Sequence, residues 1–376
     1  MKDLIEIIES MDVYKARGEP YALATVVKVA GSTYRRPGAR MFLGGRTTAI
    51  GAVSGGCLES DIVERASGVV ASGQPITVTY DTSTDNDIIM GLGIGCEGVI
   101  EVLIELLPAA GSVDYHAFLK ECISEGHTGL LATVFAVNNI KDTGIGNRLI
   151  LRQNDAITDD IDNPKLRDAV ITDARQVVLT GISVVKDYRI GAGAAEVLLE
   201  VIRPPVSLLV FGAGHDASPV VQIAKYLGWR ATVVDSREAY ADTNRFPHAD
   251  RIVICQADEV VRHVALDART VAVVMTHNYR SDRVLLQTLL NSPVRYVGAL
   301  GPRSRTERLV NEMKDDGFSF TPEQLDRLFS PIGLDIGAET PEEIALSIIG
   351  EIQAFLNKRK GGWLKDRRGP IHDVVA

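Results

Sequence analysis

The stretch Val206-Ser-Leu-Leu-Val-Phe-Gly-Ala-Gly-His-Asp-Ala217 decides the fold of the C-terminal half of the chain. Its first six residues are mostly apolar and too few for an ordinary helix, which predicts a buried strand of a parallel sheet. Gly212 and Gly214 then predict a tight turn whose backbone comes close to a ligand, and Ala217 takes the small third position of a G-x-G-x-x-A pattern. The stretch therefore predicts a strand, a glycine turn and a helix.

A second strand, Arg230 to Asp235, ends in an acidic residue. Asp235 follows Gly212 by 23 residues, about where a carboxylate that binds a ribose is expected, and Arg237 is near enough to reach a phosphate or carboxylate. His215 lies inside the turn, where a pyrophosphate would be bound. These residues favour a nucleotide or a dinucleotide such as NAD(P). The alternative is a Rossmann-type sheet that has lost its ligand site.

Strands and helices continue to alternate after Asp235. Further strands are expected at 251–255, 270–276 and 294–300, and helices near 258–266, 281–291, 303–316 and 341–358. Right-handed crossovers then give a doubly wound parallel sheet of order 3-2-1-4-5. His277 follows the fourth strand at the carboxyl edge, where it is either a ligand or proton-transfer residue or a residue that only closes the loop.

The N-terminal half is predicted to be mixed α/β, with a first helix followed by short strands. A strand beginning at Thr48 runs into Ser54-Gly-Gly-Cys57, and a helix follows from about Leu58. The dipole of that helix favours the thiolate form of Cys57, and Gly55 and Gly56 leave its approach open. The pattern suits a reactive sulfur; the alternative is a small buried hydrophobic residue.

The other cysteines differ in context. Cys96 lies in the glycine-rich run Gly91 to Gly98, which indicates either backbone that closes on a ligand or a structural turn. Cys122 on an amphipathic helix and Cys255 at the end of an apolar strand are expected in the core. With four cysteines and no C-x-x-C pair, neither a disulfide framework nor a zinc site is expected, and a reducing cytoplasm is the expected compartment.

An internal repeat relates two parts of the N-terminal half. Leu23 to Val29 matches Leu131 to Val137 at an offset of 108 residues, and Gly38 and Arg40 match Gly146 and Arg148 at the same offset. Glu101 to Glu105 matches Glu196 to Glu200 further on. We predict two related units, about 1–110 and 111–203, within an N-terminal domain 1–203, and a Rossmann-like domain 204–376. The second unit has nothing like Ser54-Gly-Gly-Cys57, so the chemistry is expected in the first.

Composition limits the classes of function. The 376 residues are 45% hydrophobic and 24% charged, as in ordinary globular proteins, and the chain has room for two or three domains. A net charge of −9 argues against a nucleic-acid partner, because neutralising phosphates takes a basic surface. No apolar run approaches the ~20 residues that a bilayer requires, and the charged first helix is not expected to be a signal peptide.

Six motifs in order resemble one known family, XdhC/CoxI. They are Gly31-Ser32 with Pro37-Gly-Ala-Arg40, Ser54-Gly-Gly-Cys-Leu-Glu59, Gly93-Ile-Gly-Cys96, Phe211-Gly-Ala-Gly-His215, Met275-Thr-His277, and Pro331-Ile-Gly-Leu-Asp-Ile-Gly-Ala-Glu-Thr-Pro-Glu-Glu-Ile-Ala345. The resemblance spans both halves and is least distinct over 111–200.

The resemblance implies an accessory factor for xanthine dehydrogenase and other molybdenum hydroxylases. Such a factor binds and protects molybdenum cofactor (molybdopterin), works with a cysteine desulfurase that supplies the terminal sulfido ligand, and delivers the cofactor to the apo-enzyme. It implies Cys57 as the thiol that contacts molybdenum or sulfur, with Cys96 as a second candidate. The glycine turn, His215 and Asp235 would hold a nucleotide moiety. A homodimer and a ligand between the two domains are also expected.

Two other functions stay open from the residues. One is an NAD(P)-dependent oxidoreductase, although no substrate-activating Lys/Tyr pair is evident, which favours a cofactor chaperone without catalysis. The other is a regulatory or scaffold protein that keeps a relic nucleotide fold.

Overall fold

The structure, a computed structural model, describes residues 1–45, 48–81, 98–109, 111–368 and 371. These residues form two compact units, one of Asp3–Pro204 and one of Pro205–Arg368 with Met1–Lys2. The first unit has antiparallel sheets with helices, and the second has a parallel sheet, so the predicted fold class is confirmed. Within the described ranges, no helix has the length and apolarity needed to cross a membrane.

In the part of the N-terminal unit that the structure describes, two sheets have the same topology. Its elements are α1 (Lys2–Arg17), β1 (Tyr21–Gly31), β2 (Arg40–Gly44), β3 (Thr48–Gly51), α2 (Glu59–Ser72), β4 (Ile76–Asp81), β5 (Gly98–Leu107), α3 (Tyr115–Lys120), β6 (Gly129–Asn138), β7 (Arg148–Leu151), β8 (Ile157–Asp159), α4 (Pro164–Thr180), β9 (Val184–Ile190) and β10 (Gly193–Ile202). The strand orders are β3-β2-β1-β5-β4 and β8-β7-β6-β10-β9. The sequence offset of 108 residues thus has a structural counterpart in the pairs β1 with β6 and β2 with β7.

The two sheets pack face to face, each with a helix on its outer side. Alternate residues of β1 point to opposite faces, as in any strand. Leu23 packs in one core with Leu131 of the second sheet, whereas Ala24 packs with Ile62 of α2. In the second sheet, Leu130 packs with residues of α4. The order of layers is therefore α2, first sheet, second sheet, α4.

Two buried ion pairs cross between the sheets. Arg40 of β2 donates from Nη1 to Oε1 of Glu200 in β10 at 2.8 Å, and Arg148 of β7 donates to Glu105 of β5. Arg40 and Arg148 hold equivalent positions in the two repeats, and their side chains are almost fully buried. Tyr115 lies against both, with its ring centroid 5.7 Å from Cζ of Arg40 and 4.9 Å from Cζ of Arg148. Each repeat thus supplies the arginine for one pair and the glutamate for the other.

The C-terminal unit is a doubly wound parallel sheet. Its elements are β11 (Ser207–Phe211), α5 (Ala217–Tyr226), β12 (Arg230–Asp235), β13 (Arg251–Ile254), α6 (Val260–His263), β14 (Thr270–Val274), α7 (Tyr279–Leu290), β15 (Tyr296–Ala299), α8 (Arg303–Asp315), α9 (Pro322–Leu325), β16 (Leu328–Phe329) and α10 (Pro341–Leu356). The order β13-β12-β11-β14-β15-β16 contains the predicted 3-2-1-4-5 order and adds one two-residue strand. The strand order reverses between β11 and β14, and ligands bind at such a switch point.

Candidate functional site

Two motifs of the first repeat, Gly31-Ser32 and Ser54-Gly-Gly-Cys57, follow strands that end at one edge of its sheet. Because each neighbouring pair in this sheet is antiparallel, β1, β3 and β4 all end at the same edge and β5 begins there. Gly98, the first residue of β5, pairs with Gly31, the last residue of β1. No side chain fits at Gly98, because a Cβ there would lie 2.6 Å from the carbonyl oxygen of Ser32. Cys96 lies just before Gly98 in sequence and falls outside the described residues.

Ser54 and Glu59 hold the loop that carries Cys57. The hydroxyl of Ser54 donates to Glu59 at 2.5 Å and accepts hydrogen bonds from the amides of Gly56 and Leu58 at 3.1 and 3.2 Å. Glu59 also accepts from the Ser54 amide at 2.9 Å. Burial acts to raise the pKa of Glu59, but these hydrogen bonds outweigh it and hold the pKa below its usual range. The sulfur of Cys57 lies 3.5 Å from the Ser54 hydroxyl, directly before the start of α2.

The surface beside Cys57 is mostly backbone. Cys57 is half-buried, and both preceding glycines are exposed. Gly56 has φ +112°, which favours glycine, and a Cβ there would meet nothing within 4 Å. At Gly55 a Cβ would lie 3.9 Å from the ring of Tyr34, whose own side chain is exposed. One thiol, one aromatic ring and open backbone therefore share this edge.

In the second repeat, a capped helix start takes the place of the Cys57 loop. There Asn163 caps α4 by accepting a hydrogen bond from the Leu166 amide at 3.1 Å, and Pro164 occupies the first turn. In the first repeat, residues 82–97, which include Cys96, separate β4 from β5. In the second repeat, only residues 191–192 separate β9 from β10. The two repeats thus share a scaffold and differ where the cysteine motifs occur.

In the C-terminal unit, the glycine turn follows β11 as predicted. Gly212 has φ +115°, and a Cβ there would lie 2.4 Å from the carbonyl oxygen of Met275, so only glycine fits. Gly214 comes next in the same turn, followed by the exposed His215. Asp216 ends the turn, and its carboxylate lies 2.8 Å from Nε2 of His277.

A cavity of about 230 Å³ lies at the carboxyl ends of β11, β12 and β14. Its apolar lining comes from Phe211, Val234, Cys255, Ala257, Val260 and Leu285. Its polar lining includes the predicted site residues Asp235, Arg237 and His277. His277 has φ +57°, a strained backbone conformation for a residue with a side chain. The structure thus brings these three residues together beside the turn that begins after Phe211.

Asp235 is bonded to the turn and to Arg237. Its carboxylate accepts from the Ala213 amide at 2.7 Å and from the amide, Nε and Nη2 of Arg237 at 2.9, 3.0 and 2.7 Å. Burial would raise the pKa of Asp235, but the hydrogen bonds from Arg237 and Ala213 outweigh it and lower that pKa. The carboxylate is therefore ionised and fixes the glycine turn against the end of β12.

Sequence reasoning missed several residues here. Cys255 is buried, as expected, yet it also lines the cavity. Tyr240 lies beyond β12 with its ring centroid 4.2 Å from Cζ of Arg237, and Arg245 lies on it at 4.9 Å. No motif indicates these contacts, because they depend on how the segment after β12 folds back. His277 was a predicted site residue, but its partner Asp216 was not.

Within the described ranges, no group of three or more His, Cys, Asp and Glu side chains is placed to hold a metal ion. Cys96, the second cysteine of the predicted site, lies outside those ranges.

Two regions of the chain match models of one protein family. Residues 208–352 match the XdhC Rossmann domain, and residues 15–81 match the XdhC and CoxI family. A protein of Bacillus subtilis (strain 168) that is named as a probable subunit of xanthine dehydrogenase is 31% identical over 337 residues, covering 89% of this chain and 92% of that protein. The uncharacterized protein YqeB of Escherichia coli (strain K12) is 30% identical over 185 residues, 49% of this chain and 34% of that protein.

One solved structure shares the whole architecture. The crystal structure of a xanthine dehydrogenase from Bacillus halodurans is 27% identical, with a TM-score of 0.75, and the match covers 94% of this chain and 96% of that one. With both family regions and a relative similar over almost its full length, the chain belongs to the XdhC and CoxI family.

Proposed function

We propose that the protein is an accessory factor that binds molybdenum cofactor, assists its sulfuration and delivers it to a molybdenum hydroxylase of the xanthine dehydrogenase type. The observation that carries the proposal is Cys57 at an open glycine loop just before a helix, in a chain whose relative is named as part of xanthine dehydrogenase. In this proposal the partners are the apo-hydroxylase and a cysteine desulfurase, in the cytoplasm, and the factor acts as a homodimer.

The residues at the Cys57 edge fit such a group. A thiolate is a soft ligand that suits molybdenum or a transferable sulfur. The exposed backbone of Gly55 and Gly56 offers polar groups, and the Tyr34 ring offers a face for a flat heterocycle. When bound, the cofactor would supply the oxygen-transfer chemistry of the hydroxylase. In this proposal Cys57 holds the metal or its sulfur, and Cys96 is the second candidate thiol.

The Rossmann cavity serves a nucleotide in the same proposal. Gly212, Gly214 and His215 would lie along its phosphates, and Asp235, Arg237 and His277 line the space for the rest. The nucleotide is either NAD(P) or the nucleotide part of a dinucleotide form of the cofactor.

Replacing Cys57 tests the proposal directly. We expect Cys57→Ala to fold normally, because the residue lies at a loop mouth, and to lose cofactor retention or activation of a co-expressed hydroxylase. Molybdenum and pterin content after incubation with cofactor, together with hydroxylase activity, are the measurements. Cys122→Ala, which removes a buried thiol that packs in a different core cluster from Cys57, is the control. A Cys57→Ala protein that retains cofactor and activates the partner like wild type would transfer the role to Cys96 or end the thiol hypothesis.

One observation favours a second function, that of an NAD(P)-dependent oxidoreductase. The His277–Asp216 pair borders the Rossmann cavity, and a histidine oriented by a carboxylate is suited to proton transfer. Incubating the pure protein with NAD(P)H and candidate oxidants separates the two functions. Sustained turnover would support the oxidoreductase and argue against a chaperone without catalysis.

A further inference from the structure

The carboxylate of Asp235 has no acceptor position left. An ionised carboxylate offers about four lone-pair positions. In Asp235 the Ala213 amide and three donors of Arg237 use them, two on each oxygen. A ribose hydroxyl reaches this carboxylate only by displacing one of these donors. The group beside Asp235 that still has capacity to bind a ligand is therefore the guanidinium of Arg237.

Arg237 is held in place but stays accessible. Its side chain is 47% exposed, although Nε and Nη2 both bond to Asp235. The guanidinium lies over the Tyr240 ring at 4.2 Å, and Arg245 lies on the same ring at 4.9 Å. Pairing with Asp235 and stacking on Tyr240 fix the orientation of Arg237, so little conformational entropy is lost when it binds an anion.

The carboxylates nearest to the two arginines already accept hydrogen bonds of their own. Asp235 neutralises Arg237, and its oxygens face the turn and the guanidinium. Asp242 faces Arg245 but accepts hydrogen bonds from Asn244 at 3.0 and 3.3 Å. The Arg245 guanidinium itself donates to the backbone carbonyl of Tyr240 at 3.3 Å. Two planar cations thus share one aromatic ring at the end of β12, where the sugar of a nucleotide lies in this kind of sheet.

We propose that the cavity binds a nucleotide that carries an extra phosphomonoester on the ribose next to its base, with Arg237 as the main contact of that phosphate and Arg245 as the second. The base would occupy the apolar part of the cavity formed by Val234, Ala257 and Val260. The inference rests on the nucleotide site of the proposed function and deepens it. A phosphate at the ribose 2′ position, as in NADP, and one at the 3′ position, as in coenzyme A, present the same chemistry to these arginines.

Three small probes test the inference on the full-length protein by calorimetry: 2′,5′-ADP, 3′,5′-ADP and 5′-AMP. We expect at least one bisphosphate to bind about tenfold or more tightly than 5′-AMP, the ratio expected from one charge-assisted contact. Which bisphosphate binds identifies the source of the phosphate. Arg237→Gln should remove the preference for that bisphosphate over 5′-AMP, and Arg245→Gln should reduce this preference in part.

The chain supplies a matched control. Arg269 follows Asp267 in the same Asp-x-Arg arrangement, with Nη2 donating to the carboxylate at 2.7 Å, but it lies at the amino end of β14, away from the cavity. Arg269→Gln should leave all three affinities unchanged. Equal affinities of wild type for the three probes would overturn the inference, as would an Arg237→Gln protein that loses 5′-AMP and the bisphosphates equally.

The two proposals fail separately. If none of the probes binds, the ribose-phosphate inference is overturned, while molybdenum and pterin retention in wild type and Cys57→Ala still decides the accessory-factor proposal.

Discussion

At the scale of single residues, the described cysteines differ in how their sulfurs are buried. Cys57 is half-buried on an open loop, whereas burial raises the pKa of Cys122 to about 12 and also raises the pKa of Cys255. Alkylation needs the thiolate and an approach path. We therefore expect iodoacetamide at neutral pH to modify Cys57 well before Cys122 and Cys255, as measured by peptide mass spectrometry over time. Labelling the protein in denaturant, where all should react alike, is the control. Equal native rates for Cys57 and Cys122 would contradict the prediction.

A buried histidine gives the N-terminal unit a pH dependence of known sign. Burial lowers the pKa of His116, although Asp12 lies 3.2 Å from its Nε2 and opposes the shift. The unfolded chain therefore binds a proton at His116 more readily than the folded chain does. Above the unfolded pKa of about 6.5 the histidine does not change the free energy of unfolding, and as the pH falls below that value it lowers this free energy.

Urea unfolding at pH 7.5 and pH 5.5 tests this histidine. The free energy of unfolding of wild type should be lower at pH 5.5 than at pH 7.5, and this decrease should be smaller for His116→Gln. If the variant shows the same pH dependence as wild type, other groups are responsible. His248→Gln, which changes an exposed histidine of the C-terminal unit, serves as the control.

At the scale of elements, most of the C-terminal sheet could be predicted because its signals are local. A short apolar run, a glycine turn and an acidic strand end each depend on a few neighbouring residues, and all three lie where the sequence puts them. The residues around Cys122 were expected to be an ordinary helix, but Glu121–Glu125 form a π-helical turn. Strand β16 has only two residues and depends on pairing with β15, which no local pattern reveals.

The turn after β11 supplies a prediction at this scale. Gly212 and Gly317 both have positive φ, but a Cβ at Gly212 would lie 2.4 Å from the carbonyl oxygen of Met275, whereas one at Gly317 would meet nothing within 4 Å. Both alanine variants carry about 1 kcal/mol or more of backbone strain, and only Gly212→Ala must also move the end of β14. We expect Gly212→Ala to lose more unfolding free energy in urea and to weaken nucleotide binding. A larger loss for Gly317→Ala would show that close approach is not what selects glycine at 212.

At the scale of the whole N-terminal unit, the repeat was visible in the sequence, but its packing was not. Matching Arg40 with Arg148 and Glu105 with Glu200 identifies equivalent positions. It does not say that each arginine pairs with the glutamate of the other repeat, since that depends on two sheets meeting face to face. The candidate site shows the same limit: Cys57 and its loop follow from local pattern, whereas Tyr34 comes beside Gly55 only through the common edge of the sheet.

The crossed ion pairs make the last prediction. Glu200→Gln leaves the guanidinium of Arg40 buried without a countercharge, and breaking a buried pair in this way costs about 3–5 kcal/mol. The double variant Arg40→Met with Glu200→Leu removes both charges and should lose less, because no unpaired charge remains. On the surface, Asp155→Asn breaks the exposed pair with Arg175 and should cost less than about 1 kcal/mol. Urea unfolding of the four proteins measures these differences. A double variant no more stable than Glu200→Gln would mean that the specific geometry of the pair, with its hydrogen bonds to Tyr115 and Gly38, is what holds the two sheets together.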